Sequence, residues 1–76
     1  MADDAPDDLF WVPINSSAIK EAAYDPYTLK LWIRFVKGNK TYCWIGVPKA
    51  KWELFKKAAS KGTFYWQHIE GRYQLR

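Results

Sequence analysis

Leu29, Leu31, Ile33 and Phe35 alternate with Lys30, Trp32, Arg34 and Val36, the period-two pattern of a half-buried β-strand. Lys37-Gly38-Asn39-Lys40 follows, and Gly-Asn suits a two-residue hairpin loop with positive φ. Residues 41–47 then read as the returning strand. This loop sets Phe35 opposite Tyr42, Ile33 opposite Trp44 and Leu31 opposite Gly46. Opposite residues share a sheet face, so Leu31, Ile33, Phe35, Tyr42 and Trp44 make one apolar layer. Lys30, Trp32, Arg34, Cys43 and Ile45 fall on the other face. Upstream, residues 19–24 predict a weaker first strand whose register the pattern leaves open. Asp25-Pro26-Tyr27-Thr28 is its turn, with Pro preset at the second position.

Past the hairpin the period changes. Pro48 suits the first position of a helix, where its missing N–H costs nothing. Residues 49–59 carry Ala50, Leu54, Phe55, Ala58 and Ala59 as an apolar stripe, leaving Lys49, Lys51, Trp52, Lys56 and Lys57 toward solvent. Glu53 precedes Lys57 by four, the favourable order for a helix ion pair. Ser60 caps a second helix of about ten residues that Gly71 ends, with Phe64, Tyr65, His68 and Ile69 on one face. The predicted fold class is α+β: a three-stranded antiparallel meander followed by two α-helices packed on one face.

Seventy-six residues make one domain near the lower limit for a self-sufficient core. A single cysteine, Cys43, excludes an intrachain disulfide, and no Cys/His cluster suits zinc. Five Trp, five Tyr and four Phe supply bulk instead, which makes a monomer feasible and leaves a weak dimer open. The N-terminus lacks the basic and apolar regions of a secretory signal, no apolar run suits a membrane span, and a single cysteine fits a reducing compartment. A cytoplasmic location is expected.

Charge is divided unevenly. Asp3, Asp4, Asp7 and Asp8 are half of the eight acids, and no base accompanies them. Residues 9–76 hold all twelve Lys and Arg against four acids, a balance of +8. Such a body attracts polyanions in a salt-dependent way, and the leader has the sign to compete with them. The expected division is an acidic, disordered leader over residues 1–14, carrying the apolar patch Leu9-Phe10-Trp11-Val12, and a domain over residues 15–76.

Several segments in order resemble one known family. Ser16-Ser17-x-Ile19, Tyr24-Asp25-Pro26, Leu31-x-Ile33-x-Phe35, Tyr42-x-Trp44, Val47-Pro48 and Ser60-Lys61-Gly62-x-Phe64-Tyr65 with Ile69 resemble the KTSC domain. That domain is found at the C-terminus of some lysyl-tRNA synthetases and as small stand-alone bacterial and phage proteins. The resemblance runs from about Asn15 to Tyr73. The family's central Tyr-x-Tyr reads Tyr42-Cys43-Trp44 here, which keeps bulk and loses a hydroxyl. Ala23 stands where the family often has Gly. The resemblance implies RNA binding without a defined activity.

The residues themselves offer little for catalysis. His68 is the sole histidine and reads as a packed structural residue on an apolar helix face. The serines lack a nucleophile elbow, the acids after the leader are scattered, and Cys43 reads as a small buried hydrophobe. No enzyme, cofactor or metal site is expected. For a ligand, Ser60, Lys61 and Gly62 at a helix start, with Arg72 within reach, combine exposed N–H groups with positive charge; the same residues are also ordinary boundary signals. Lys30, Trp32 and Arg34 place an aromatic between two bases, a pattern that can stack nucleobases and neutralise phosphates. The competing expectation is that Leu9-Phe10-Trp11 covers Trp32. The chain therefore reads as a small nucleic-acid-binding module, with RNA the expected ligand. The rival is a protein-interaction module, such as a phage factor that docks on a host protein through Phe10 and Trp11.

Overall fold

The computed structural model describes residue 6 and residues 8–76; residues 1–5 and 7, which belong to the leader expected to be disordered, lie outside them. Five strands form one antiparallel sheet in chain order: β1 (Val12–Pro13), β2 (Ile19–Asp25), β3 (Lys30–Phe35), β4 (Thr41–Ile45) and β5 (Gln74–Leu75). Between β4 and β5 run α1 (Lys49–Lys57) and α2 (Lys61–His68). The class is α+β as expected, but the sheet is wider than the predicted meander by the two-residue edge strands β1 and β5. Elements so short carry no periodicity of their own. They form because a neighbouring strand offers its free edge.

The β3–β4 register is Leu31 opposite Trp44, Ile33 opposite Tyr42 and Arg34 opposite Thr41. It differs by two residues from the expectation. Gly38 does adopt positive φ (81°), but inside a short 3-10 turn over Lys37–Asn39, and the loop closes where the Phe35 N–H donates to the Lys40 carbonyl at 3.0 Å. Because the shift is even, every side chain keeps its predicted face. Leu31, Ile33 and Trp44 are buried on the helix side, whereas Phe35 and Tyr42, near the hairpin end, are only half-buried.

β2 explains why its register could not be read. Ile19 pairs with Phe35 and Glu21 with Arg34, so the ladder is irregular at Lys20. The extra residue lets Ile19 and Ala22 both reach the helix-side core, which strict alternation would forbid. Leu29 precedes β3 rather than opening it. It sits at φ 59°, its N–H bonded to the Asp25 carbonyl at 2.8 Å, a left-handed position that leucine rarely takes. Asp25 anchors this turn through a side-chain bond from the Tyr27 N–H at 2.9 Å.

α1 is rotated from its predicted setting. Trp52 and Phe55 are its buried residues, while Leu54 is exposed. Trp52 stacks on Tyr24 at 5.7 Å and on Phe55 at 5.9 Å. Large aromatic area outweighs a stripe made mostly of alanines. Pro48 is the N-cap rather than the first helical residue, and Glu53 pairs with Lys56 at 3.3 Å rather than with Lys57. α2 begins as expected, its Ser60 hydroxyl accepting from the Thr63 N–H at 3.3 Å. Among the described residues no helix is long and apolar enough to cross a membrane.

Both sheet faces are covered. The larger core joins Ile19, Leu31, Ile33 and Trp44 to Phe55 and Tyr65 of the helices and to Ile69 at the C-cap of α2. The smaller consists of Ala23, Trp32 and Cys43, with Leu9 and Trp11 packed against it. The apolar patch before residue 15 is thus joined to the domain: Val12 and Pro13 pair with β2, and Ile14 is buried in the larger core.

Candidate functional site

Each sequence-derived candidate has a definite place. Trp32 is 1% exposed, beneath Leu9 and Trp11, and so presents no face on which a base could stack. Burial of a large aromatic on a sheet face outweighs its exposure whenever an apolar segment can reach it, and here the chain before β1 does. Arg34 beside it is committed too. Its guanidinium pairs with Glu21, donates through Nε to the Thr41 hydroxyl at 3.0 Å and lies 4.4 Å from the Trp11 ring centroid. Lys30 is half-exposed at the start of β3, opposite Asp25. The proposed sheet platform of Lys30, Trp32 and Arg34 is therefore a closed face. Of the two protein-contact candidates, Trp11 is taken up in this closure, whereas Phe10 is 81% exposed.

Ser60, Lys61 and Gly62 lie on the opposite side of the sheet, with α2. They line a polar cleft of about 450 Å³ with Asn15, Ser16, Ser17 and Thr63. Much of its polar capacity is used internally. The Ser60 hydroxyl serves Thr63, the Ser16 hydroxyl accepts from the Ala18 and Ile19 N–H groups, and Lys61 Nζ donates to the Ala58 carbonyl at 2.9 Å. Lys61 thus closes the end of α1. Arg72 is exposed in the turn after α2 and lines neither this cleft nor its neighbour.

The neighbour is a groove of about 630 Å³ that shares Ser17, Ala18 and Trp66 with the polar cleft. Phe35, Tyr42, Trp44 and Tyr65 form its aromatic lining, with centroids 5.3 Å apart for Phe35–Tyr65, 5.4 Å for Trp44–Tyr65 and 5.6 Å for Phe35–Tyr42. Trp66, 65% exposed, stands at the edge, T-shaped against Tyr65 at 5.5 Å. Lys37 and Lys40 from the hairpin loop line it as well, and neither has an ion-pair partner among the described residues. Glu70 is the one carboxylate in the lining. It accepts from the Tyr65 hydroxyl, and burial together with that bond pushes the Tyr65 phenol far above its usual range.

Sequence reasoning assigned Tyr42 and Trp44 to the core and passed over Lys37, Lys40, Trp66 and Glu70. One signal was available: Phe35 and Tyr42 sit at the hairpin end, where a helix layer anchored at the other end gives incomplete cover. His68, half-buried, stacks on Phe64 at 4.4 Å, in keeping with a packed residue.

The KTSC domain model matches residues 15–73. The chain belongs to the KTSC domain family. The crystal structure of a KTSC domain protein from Yersinia pestis superposes with a TM-score of 0.85 at 35% identity, covering 90% of this chain and 94% of that one. No curated protein matches the chain. In this KTSC domain the family segment Ser60-Lys61-Gly62-x-Phe64-Tyr65 supplies both the start of α2 and a wall of the aromatic groove.

Proposed function

We propose that this KTSC domain is a non-enzymatic binding module for single-stranded RNA, and that the aromatic groove, rather than the Trp32 face, takes the bases. The observation that carries the reading is the combination of half-buried Phe35 and Tyr42 and exposed Trp66 with Lys37 and Lys40. Planar rings at the edge of a groove stack bases of any sequence, and nearby ammonium groups neutralise the backbone between them. The polar cleft that continues the groove past Trp66 extends the path toward Lys61. The body's balance of +8 supports the same ligand class. Titration of a labelled oligouridine at several salt concentrations tests this: affinity should fall steeply with salt. Trp66→Ala should weaken binding about tenfold, the usual scale for losing one stacked base. Salt-independent or absent binding would remove the reading.

Phe10, 81% exposed between the half-buried Leu9 and Trp11, favours a second reading, a hydrophobic contact with a partner protein. A complex of that kind would survive high salt and be lost on Phe10→Ala.

A further inference from the structure

Glu70 is out of place in a groove for a polyanion. A carboxylate there repels phosphate and costs affinity unless it faces hydrogen-bond donors on the ligand. Its position is set at two points. The Glu70 N–H donates to the Tyr65 carbonyl at 2.9 Å, and its Oε1 accepts from the Tyr65 hydroxyl. That hydroxyl bond does not use Oε2, and the residue is exposed. The groove thus holds a fixed carboxylate beside aromatic rings, with the ammonium-bearing Lys37 and Lys40 also in its lining.

We infer that this groove is selective for guanine, with Glu70 reading the base, an assignment that rests on the RNA reading above. Guanine is the base whose Watson–Crick edge presents two adjacent donors, N1–H and the N2 amino group. A carboxylate presents two adjacent acceptors with two lone pairs each, so Oε1 can keep the Tyr65 hydroxyl while Oε1 and Oε2 together take both donors. Adenine and cytosine offer one amino group beside a ring nitrogen acceptor, and uracil offers one N–H between two carbonyls. Against those edges the carboxylate meets a lone pair as well as a donor, so it discriminates by repulsion as much as by attraction. Stacking by Trp66 and its neighbours holds the base, and Lys37 and Lys40 offset the charge of the flanking phosphates.

Fluorescence anisotropy with short oligouridines carrying one central guanosine, adenosine, cytidine or inosine tests the assignment. The guanosine strand should bind about tenfold tighter than the others, the scale of one bidentate base contact. Inosine lacks the N2 amino group and should fall to the level of the rest, a comparison that needs no variant protein. Glu70→Gln keeps an acceptor for the Tyr65 hydroxyl and should abolish the preference while leaving the melting temperature nearly unchanged. Equal binding of all strands, inosine matching guanosine, or a preference that survives in the folded Gln variant would each overturn guanine reading by Glu70 and leave the RNA module standing. No binding of any strand at low salt would overturn both.

Discussion

The Arg34 guanidinium lies 4.4 Å from the centroid of the Trp11 ring, while Glu21 and the Thr41 hydroxyl hold it from the sheet. Trp11 is thereby clamped as a roof over Trp32, whose Nε1 is buried with no hydrogen-bond partner among the described residues. An unpaired indole donor costs stability, which the apolar area buried around it must outweigh. Leu9 and Trp11, ahead of β1, are thus a structural part of the domain. Trp11→Ala should lower unfolding stability by about 1–3 kcal/mol, less than a full core truncation because the ring is half-buried. Urea denaturation measures it, and a double-mutant cycle with Arg34→Ala should show coupling. Additive effects would mean that the stacking carries no energy of its own.

On α1 two of the large apolar positions part company. Trp52→Ala removes a ring stacked on both Tyr24 and Phe55 and should cost about 3–5 kcal/mol, enough to unfold much of a small domain. Leu54→Ala, at an exposed position, should stay within about 0.5 kcal/mol. Thermal melts of the two variants side by side check the helix rotation directly.

Alkaline pH should expose the Tyr65–Glu70 bond. The folded-state pKa of Tyr65 is raised, first by burial and then by Glu70, so the neutral phenol is favoured in the folded protein. Its contribution is fully present below the unfolded value of 10.0 and is lost as pH rises beyond that toward the folded pKa, because the unfolded chain ionises first. The Tyr24 phenol, raised mainly by burial and bonded to the Val47 carbonyl at 2.6 Å, acts in the same direction. Tyr65→Phe should lower stability at neutral pH by about 1–2 kcal/mol through the lost bond and flatten the fall above pH 10. A parallel slope for both proteins in melts across that range would refute the linkage.

Neutralising the leader should strengthen RNA binding. Changing Asp3, Asp4, Asp7 and Asp8 to Asn moves the net charge from +4 to +8. If the leader competes for the basic surface, the gain in affinity should be largest at low salt and vanish where screening is strong. Identical binding across a salt series would leave the leader without a role in RNA binding.

The hairpin and α2 were legible because local chemistry decides them. Alternation named the buried face of β3, and an even slip of register left that face unchanged. Ser60 marked a helix start because its hydroxyl satisfies an otherwise unpaired N–H. Beyond the hairpin-end position of Phe35 and Tyr42, the groove was not legible. Phe35, Tyr42 and Trp44 carry the same apolar signature as Leu31 and Ile33, and nothing in the residue types says where the helix layer stops. Glu70 and Trp66 join them only when α2 is laid across the sheet.

The amino-acid sequence by itself determined the α+β class, the two faces of the central hairpin and the excess of positive charge, since these follow from periodicity, capping and composition; the order of its motifs carried the resemblance to the family. Tertiary structure decided between the two expectations for Trp32 and set which other aromatics remain open to solvent. Trp32, flanked by cations, is closed over because Leu9 and Trp11 return across it. Trp66, which no segment among the described residues covers, stays exposed beside a groove. Burial depends on what a distant part of the chain lays against a side chain, and pairing across that distance is a property of the packed molecule rather than of any local run of residues.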